Sequence, residues 1–302
     1  MGICAADTHR RLLAGSVREE RDAQHELDGG PVGARLPVLN CTRRVGTPGK
    51  SGTSRFVYYR NVSARQQADN ARAWVRESIR VRGVLGALAY YAGGGFELLR
   101  DLMPGRRRSR FGDIDYDFDH GVDTTWATVS LRTRIRELLS GGQYQPSEPE
   151  LFHQILQAVP AKPSGFTFID LGSGKGRTLL MASDYGFERI IGVELLAELD
   201  AIARENIARY HGERQKCFVL ESHAGDAREF AFPAEPMVLY LFNPFPEHVL
   251  RTVLGNLHES LKASPREVFV IYHNLIHERA FTECDWLRPV CGTPQFVVYS
   301  AS

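Results

Sequence analysis

The sequence predicts an α/β domain built on a mostly parallel sheet with helices on both faces. Two observations carry that prediction. From Ser147 onward, short apolar runs alternate with stretches of helical periodicity, the pattern of strands joined by crossover helices. One of those runs, Phe166-Thr167-Phe168-Ile169-Asp170, ends in an acid and a glycine-rich turn that opens directly into a helical stretch.

Ser147 with Glu150 three residues later reads as a capping box. Leu151, Phe152, Ile155, Leu156 and Val159 then form one apolar stripe, which Pro160 stops. Seven strands are expected at 166–170, 189–194, 218–222, 237–242, 268–273, 287–291 and 296–300. Helices are expected at 176–185, 197–211 and 247–263, the last with Val249, Leu250, Val253, Leu254, Leu257 and Leu261 on one face.

The N-terminal half is organised differently. Residues 1–55 lack sustained apolar periodicity and are expected to be disordered. Gly49-Lys50-Ser51 is like the end of a phosphate loop, but Arg44 stands where the earlier glycine belongs. Met1-Gly2-Ile3-Cys4 hints at lipidation, but Ala6 replaces the required hydroxyl residue. Residues 56–143 are expected to form a helical cap. Ala71, Trp74, Val75, Ser78 and Ile79 fall at helical spacing, and Gly93-Gly94-Gly95 is expected to interrupt the run. Arg106-Arg107-Arg108 beside a Pro-Gly turn reads as a solvated loop. The alternation in Asp113-Ile114-Asp115-Tyr116-Asp117-Phe118-Asp119 predicts a short strand with an acidic outer face.

Bulk composition narrows the function classes. A net charge of +1 gives no general attraction to nucleic acid or anionic membrane. No stretch has the ~20 apolar residues that a membrane span needs, and the N-terminus has no secretion signal pattern. The five cysteines form no CxxC pair, which favours a reducing cytoplasm over a disulfide framework or a zinc site. Cys217 and Cys284 read as small buried hydrophobes. No metal-ligand spacing occurs, so no metal site is expected.

The chemistry concentrates on strand ends. Asp170-Leu171-Gly172-Ser173-Gly174-Lys175-Gly176 lets the backbone pass close to a ligand and aims helix N–H groups at it. Glu194 ends the second strand, placed to accept from ribose hydroxyls. Asp226, followed by Ala227, comes after the third strand, placed to accept from an exocyclic amine. Asn243 ends the fourth, in Asn243-Pro244-Phe245-Pro246, and His273 ends the fifth. Open α/β sheets bind ligands at this rim.

This set resembles the class I S-adenosylmethionine-dependent methyltransferase superfamily over residues 144–302. The resemblance implies a Rossmann-like sheet of seven strands, mostly parallel, with the last antiparallel and inserted near the edge. It implies S-adenosyl-L-methionine as cofactor. The turn residues Gly172, Ser173, Gly174, Lys175 and Gly176, with Asp170, would hold the methionine part, Glu194 the ribose, and Asp226 with the Ala227 N–H the adenine. Upstream, Gly121-Val122-Asp123-Thr124 and Tyr144-Gln145-Pro146-Ser147 resemble a bacterial subgroup of this superfamily and are placed like the cofactor lid of the non-SET histone-lysine methyltransferases. Tyr144 and Ser147 would close over the methionine end.

Asn243 is the expected active-site rim residue, orienting an attacking oxygen or nitrogen. His273 is a candidate base, since imidazole titrates near neutrality. A structural histidine is the competing reading. A nicotinamide site would need glycine at 177, where Arg177 stands. A non-catalytic cofactor-binding module remains open, as does the acceptor: small molecule, peptide or protein.

Overall fold

The computed structural model describes residues 64–101, 114–125, 129–140 and 145–301. Tyr144, the motifs within residues 1–55 and the arginine cluster at 106–108 lie outside the described residues.

The C-terminal part alternates as predicted. Its elements are α4 (Pro149–Ala158), β1 (Thr167–Leu171), α5 (Arg177–Ala182), β2 (Arg189–Glu194), α6 (Ala197–Arg209), β3 (Leu220–Ala224), β4 (Met237–Phe242), α7 (Glu247–Ala263), β5 (Val268–His273), a short α8 (Arg279–Thr282), β6 (Leu287–Thr293) and β7 (Phe296–Ala301). The strands form one sheet in the order β3-β2-β1-β4-β5-β7-β6. β1 to β5 pair in parallel, while β7 is antiparallel to both β5 and β6. All five residues of β1 are buried, as expected of a strand covered on both faces.

Alternate strand residues feed two cores. Ile169, Leu239, Leu241 and Val270 pack with Val249, Val253, Leu254 and Leu257 of α7. Phe168, Tyr240, Phe269 and Ile271 pack on the opposite face with Phe152 and Ile155 of α4 and Leu179 of α5. The strand order reverses beside β1, between β1 and β4, so the ends of these two strands open the crevice that holds the site.

Four sequence expectations change. β3 begins at Leu220 because Leu220 takes the register opposite Ile190, leaving Phe218 and Val219 exposed. The capping box does not form. Glu148 is the N-cap, Pro149 opens the helix, and the Ser147 hydroxyl bonds to Tyr240 instead. Residues 114–120 are a helix, α2 (Ile114–His120), with Asp115 and Asp117 in its first turn. Acids there complement the helix dipole, which the period-two pattern concealed.

The fourth change concerns α1 (Ala64–Asp101). Gly93, Gly94 and Gly95 remain helical, and the break falls at Gly83, whose φ of 71° and ψ of 170° are non-helical. The Trp74 and Tyr90 rings meet edge to face at 6.5 Å. In a straight helix their Cα atoms would stand ~24 Å apart at 1.5 Å per residue. α1 is therefore a hairpin of two arms folded at Gly83. A further helix, α3 (Leu131–Ser140), packs against it.

Candidate active site

The carboxyl ends of β1, β2, β4 and β5 open into a cavity of about 560 Å³. The glycine turn forms its floor. Gly172 has a φ of 97°, and a Cβ there would stand 2.4 Å from Cβ of Pro244. Only glycine lets the first loop and the Asn243–Pro244 loop approach so closely. The Gly172 and Ser173 N–H groups donate to the Val193 carbonyl, tying the turn to β2.

Three acids line this cavity from three consecutive strand ends: Asp170, Glu194 and Asp226. All are buried. Asp170 accepts from the Thr178 hydroxyl. Burial pushes its carboxyl up to about 7, opposed by that hydrogen bond and reinforced by Glu194. Glu194 accepts from the Gly174 N–H at 2.9 Å and the Leu196 N–H at 2.9 Å, one on each oxygen. Burial likewise raises it to about 7. Asp226 accepts from the backbone N–H of Arg228 and pairs with the Arg228 guanidinium, at 2.6 Å for the closest contact. Arg228 also lines the cavity, and sequence reading missed it; the only signal was a basic residue two positions after the acid.

The remaining predicted residues divide. Ser147, Gly172, Ser173, Gly174, Ala227 and Asn243 line the cavity. Lys175, Gly176 and His273 do not. Lys175 is fully buried, and its ammonium donates to Asp123 at 2.8 Å and to the Thr125 carbonyl at 2.7 Å. Asn206 adds hydrogen bonds to Asp123 and to the Lys175 carbonyl. Arg177 reaches Thr124 and Asp117, with its guanidinium over the Tyr116 ring. The 121–125 segment thus braces the glycine turn from behind. Gly176 is the α5 N-cap, against Ala203.

His273 sits on the α4 side of the sheet because it is the register partner of Phe242. Its ring stacks on Phe242 at 4.0 Å, and its Nδ1 hydrogen-bonds to the Tyr240 hydroxyl at 2.8 Å. Burial lowers its pKa to about 4. Such a neutral ring holds Tyr240 in place, and Tyr240 in turn meets Ser147 at 3.2 Å. His273 does not line the cavity, and its ring is engaged by Phe242 and Tyr240.

Asn243 and Asn274 have positive φ, 39° and 62°, at the ends of two adjacent strands. Both line the cavity. Asparagine tolerates that region better than other side-chain-bearing residues. The Asn243 amide is also oriented. The His277 backbone N–H donates to the Tyr272 hydroxyl at 2.9 Å, and that hydroxyl donates to Asn243 Oδ1 at 3.1 Å. The amide nitrogen is left as the donor.

The far wall comes from α1 and the start of α7. Trp74, Glu77, Arg82 and Tyr90 of α1 line the cavity together with Phe245 and His248. Glu77 is buried and accepts from His248 Nδ1 at 2.6 Å. No sequence signal joined these two residues.

No family model matches the chain, and no curated protein matches it. Solved structures do. A dimethyladenosine transferase from Plasmodium falciparum is 14% identical over 52% of this chain and 62% of its own, with a TM-score of 0.38. An RNA methyltransferase from Salinibacter ruber, in complex with S-adenosyl-L-homocysteine, is 22% identical over 52% of this chain and 92% of its own, with a TM-score of 0.35. A ribosomal protein L11 methylase from Lactobacillus delbrueckii subsp. bulgaricus is 15% identical over 53% and 79%, with a TM-score of 0.37. The chain spans less than two thirds of the first of these. With β7 inserted antiparallel between β5 and β6, and a glycine turn at the carboxyl end of β1, this chain has a Rossmann-like α/β fold.

Proposed function

We propose that the protein binds S-adenosylmethionine in this cavity and transfers its methyl group to an acceptor on the α1 side. One observation carries the reading: Asp170, Glu194 and Asp226 converge from three successive strand ends onto one cavity floored by the glycine turn. Asp170 and the turn would hold the methionine part. Glu194 would hold the ribose, its carboxylate already oriented by backbone N–H groups, those of Gly174 and Leu196 among them. Asp226, fixed by Arg228, and the Ala227 N–H would hold the adenine.

When bound, the cofactor supplies an activated methyl group with its own leaving group. The chain's residues therefore chiefly position the acceptor and exclude water. Asn243 would donate its amide N–H to the acceptor. Phe245 and the α1 wall would enclose it.

Two rivals differ by experiment. A nicotinamide site is disfavoured by Arg177, a buried side chain where that fingerprint needs glycine. A non-catalytic module would bind cofactor and transfer nothing. Titration calorimetry with S-adenosylhomocysteine and NAD is expected to show binding of the first only. Tight NAD binding without S-adenosylhomocysteine binding would overturn the proposal. A labelled-methyl transfer screen then separates enzyme from module.

A further inference from the structure

Building on the methyltransferase reading, we infer that the acceptor is an aromatic hydroxyl compound, and that His248, held by Glu77, is the base that takes its proton. The dyad geometry is the first support. Glu77 binds Nδ1 of His248 at 2.6 Å, which commits that nitrogen and leaves Nε2 as the proton-accepting atom. Glu77 is buried, whereas the His248 side chain is 40% exposed and lines the cavity. A base oriented by a carboxylate is the arrangement that proton abstraction needs.

The neighbours select the acceptor class. Trp74, Tyr90 and Phe245 place three aromatic rings in the same wall, which suits a flat ligand. Trp74 is buried, and its indole N–H donates to no group among the described residues. Asn243 presents amide N–H donors, because its oxygen is committed to Tyr272. That donor amide calls for an acceptor oxygen and discriminates against an ammonium, which has only donors. Arg82 also lines the cavity, with its guanidinium 4.5 Å from the Tyr90 ring centroid. That charge opposes a cationic acceptor and favours a developing phenolate.

The charged groups facing His248 are Glu77, Arg80 and Arg82 from α1, Glu247 from α7 and His277 from the loop after β5. Arg80 lies 4.0 Å from Glu77, and Glu247 is paired with Arg251. Burial pushes the His277 ring down, and its backbone N–H anchors Tyr272. The step balances without an outside reagent. The hydroxyl proton passes to Nε2 of His248. An oxygen lone pair forms the bond to the methyl carbon as the carbon–sulfur bond breaks, its electron pair remaining on sulfur as the neutral thioether. The imidazolium later releases its proton to water.

The test uses the full chain with labelled S-adenosylmethionine and a series of para-substituted phenols in mildly alkaline buffer. Phenol is largely protonated there, whereas 4-nitrophenol is largely ionised. His248→Gln is expected to lower kcat with phenol by about 100-fold, at the low end for a lost general base, and to change kcat with 4-nitrophenol by less than about threefold. Glu77→Gln, which acts through His248, is expected to show the same slope against phenol acidity at smaller amplitude. A second readout needs no turnover. With S-adenosylhomocysteine bound and mildly acidic buffer, wild type is expected to raise the yellow phenolate band of 4-nitrophenol, and His248→Gln to lose it.

Equal losses across the series, or an unchanged phenolate band, would assign the pair a purely structural role and overturn the inference. S-adenosylhomocysteine binding without label transfer to any phenol would also overturn it, leaving the cofactor reading intact. Failure of wild type to bind S-adenosylhomocysteine would overturn both.

Discussion

The two halves of the cavity are built on opposite principles. The β1–β3 side takes its polar groups from consecutive strand ends, all between Asp170 and Arg228. The α1 side is assembled across the chain: Glu77 and His248 are 171 positions apart, and neither ends a strand. The first half repeats a local rule, that loops at the carboxyl ends of parallel strands carry the ligand groups. The second exists only once α1 has folded at Gly83 and lain against the start of α7. One half is thus suited to a fixed cofactor, the other to an acceptor that differs from chain to chain on a common fold.

The largest expected effect lies in the first half. Glu194→Ala removes the carboxylate proposed for both ribose hydroxyls. Hydrogen bonds to charged groups are worth about 1.5–3 kcal/mol each. S-adenosylhomocysteine affinity should therefore fall by roughly 10³-fold in calorimetry. That substitution also strands the Gly174 and Leu196 N–H groups, so Glu194→Gln is the companion variant. It keeps an acceptor oxygen and should bind more weakly than wild type while melting near it. Asp170→Ala should likewise abolish measurable binding with the fold retained. Unchanged affinity in both alanine variants would dissolve the distinction between the halves.

Gly172→Ala strikes the seam where the β1 and β4 loops meet. Its φ of 97° and the 2.4 Å approach to Pro244 allow no methyl group. Backbone strain costs about 1–3 kcal/mol and overpacking a similar amount. The melting temperature should drop by roughly 4–24 °C, at ~2–4 °C per kcal/mol for a domain of this size. A neutral result would mean that the two loops are not mechanically joined.

Legibility in the sequence follows the same divide. Met237–Phe242, Glu247–Ala263 and Val268–His273 match their expected bounds, because buried parallel strands and amphipathic helices write continuous or periodic apolar patterns. Asp170, Glu194, Asp226 and Asn243 were legible because each lies at or just after the carboxyl end of an expected strand. Lys175 was misplaced, since sequence proximity to the turn says nothing of which way a side chain leaves it. His273 was misplaced by one feature of pleating: adjacent residues at a strand end face opposite sides, and the side was settled only by pairing with Phe242. Asp117 looked like a strand residue. Its value lies in distant partners, the Thr124 and Thr125 N–H groups and Arg177, which no local pattern records.

A pH effect of intermediate size tests the electrostatics of the first half. Asp170 and Glu194 are raised to about 7, from roughly 4 in an unfolded chain. The folded state therefore binds their protons more tightly than the unfolded state. The resulting stability is fully present below pH ~4, is lost as pH rises to ~7, and changes no further above that. Cofactor hydroxyls and ammonium groups favour the ionised acids, so affinity should move the other way. S-adenosylhomocysteine binding should strengthen by roughly tenfold for each acid between about pH 6 and about pH 8, as ionisation passes through its midpoint. The Asp170→Asn variant should flatten that rise and melt higher than wild type without ligand at the upper pH. Binding independent of pH would place neither acid against the ligand.

The smallest expected effect probes the second half alone. Gly83 holds the turn of the α1 hairpin at a φ of 71°, with open space around its Cα. A methyl group there meets no neighbour, so Gly83→Ala costs only the backbone conformation, whose positive φ and ψ near 180° are essentially confined to glycine, about 1–3 kcal/mol. That is too little to unfold the domain. It is enough to raise the open population of a peripheral hairpin at least several-fold. Hydrogen exchange should accelerate across Ala64–Asp101, while protection of β1, β4 and β5 stays at its wild-type level. S-adenosylhomocysteine affinity should stay within about twofold, since Asp170 is held by Thr178 and Glu194 by the Gly174 and Leu196 N–H groups, whereas capture of a phenol should weaken in step with hairpin opening. Equal loss of protection in hairpin and sheet would instead make α1 part of the central cooperative unit. The acceptor wall would then be as rigid as the cofactor floor, and the contrast between the two halves would be one of chain order alone.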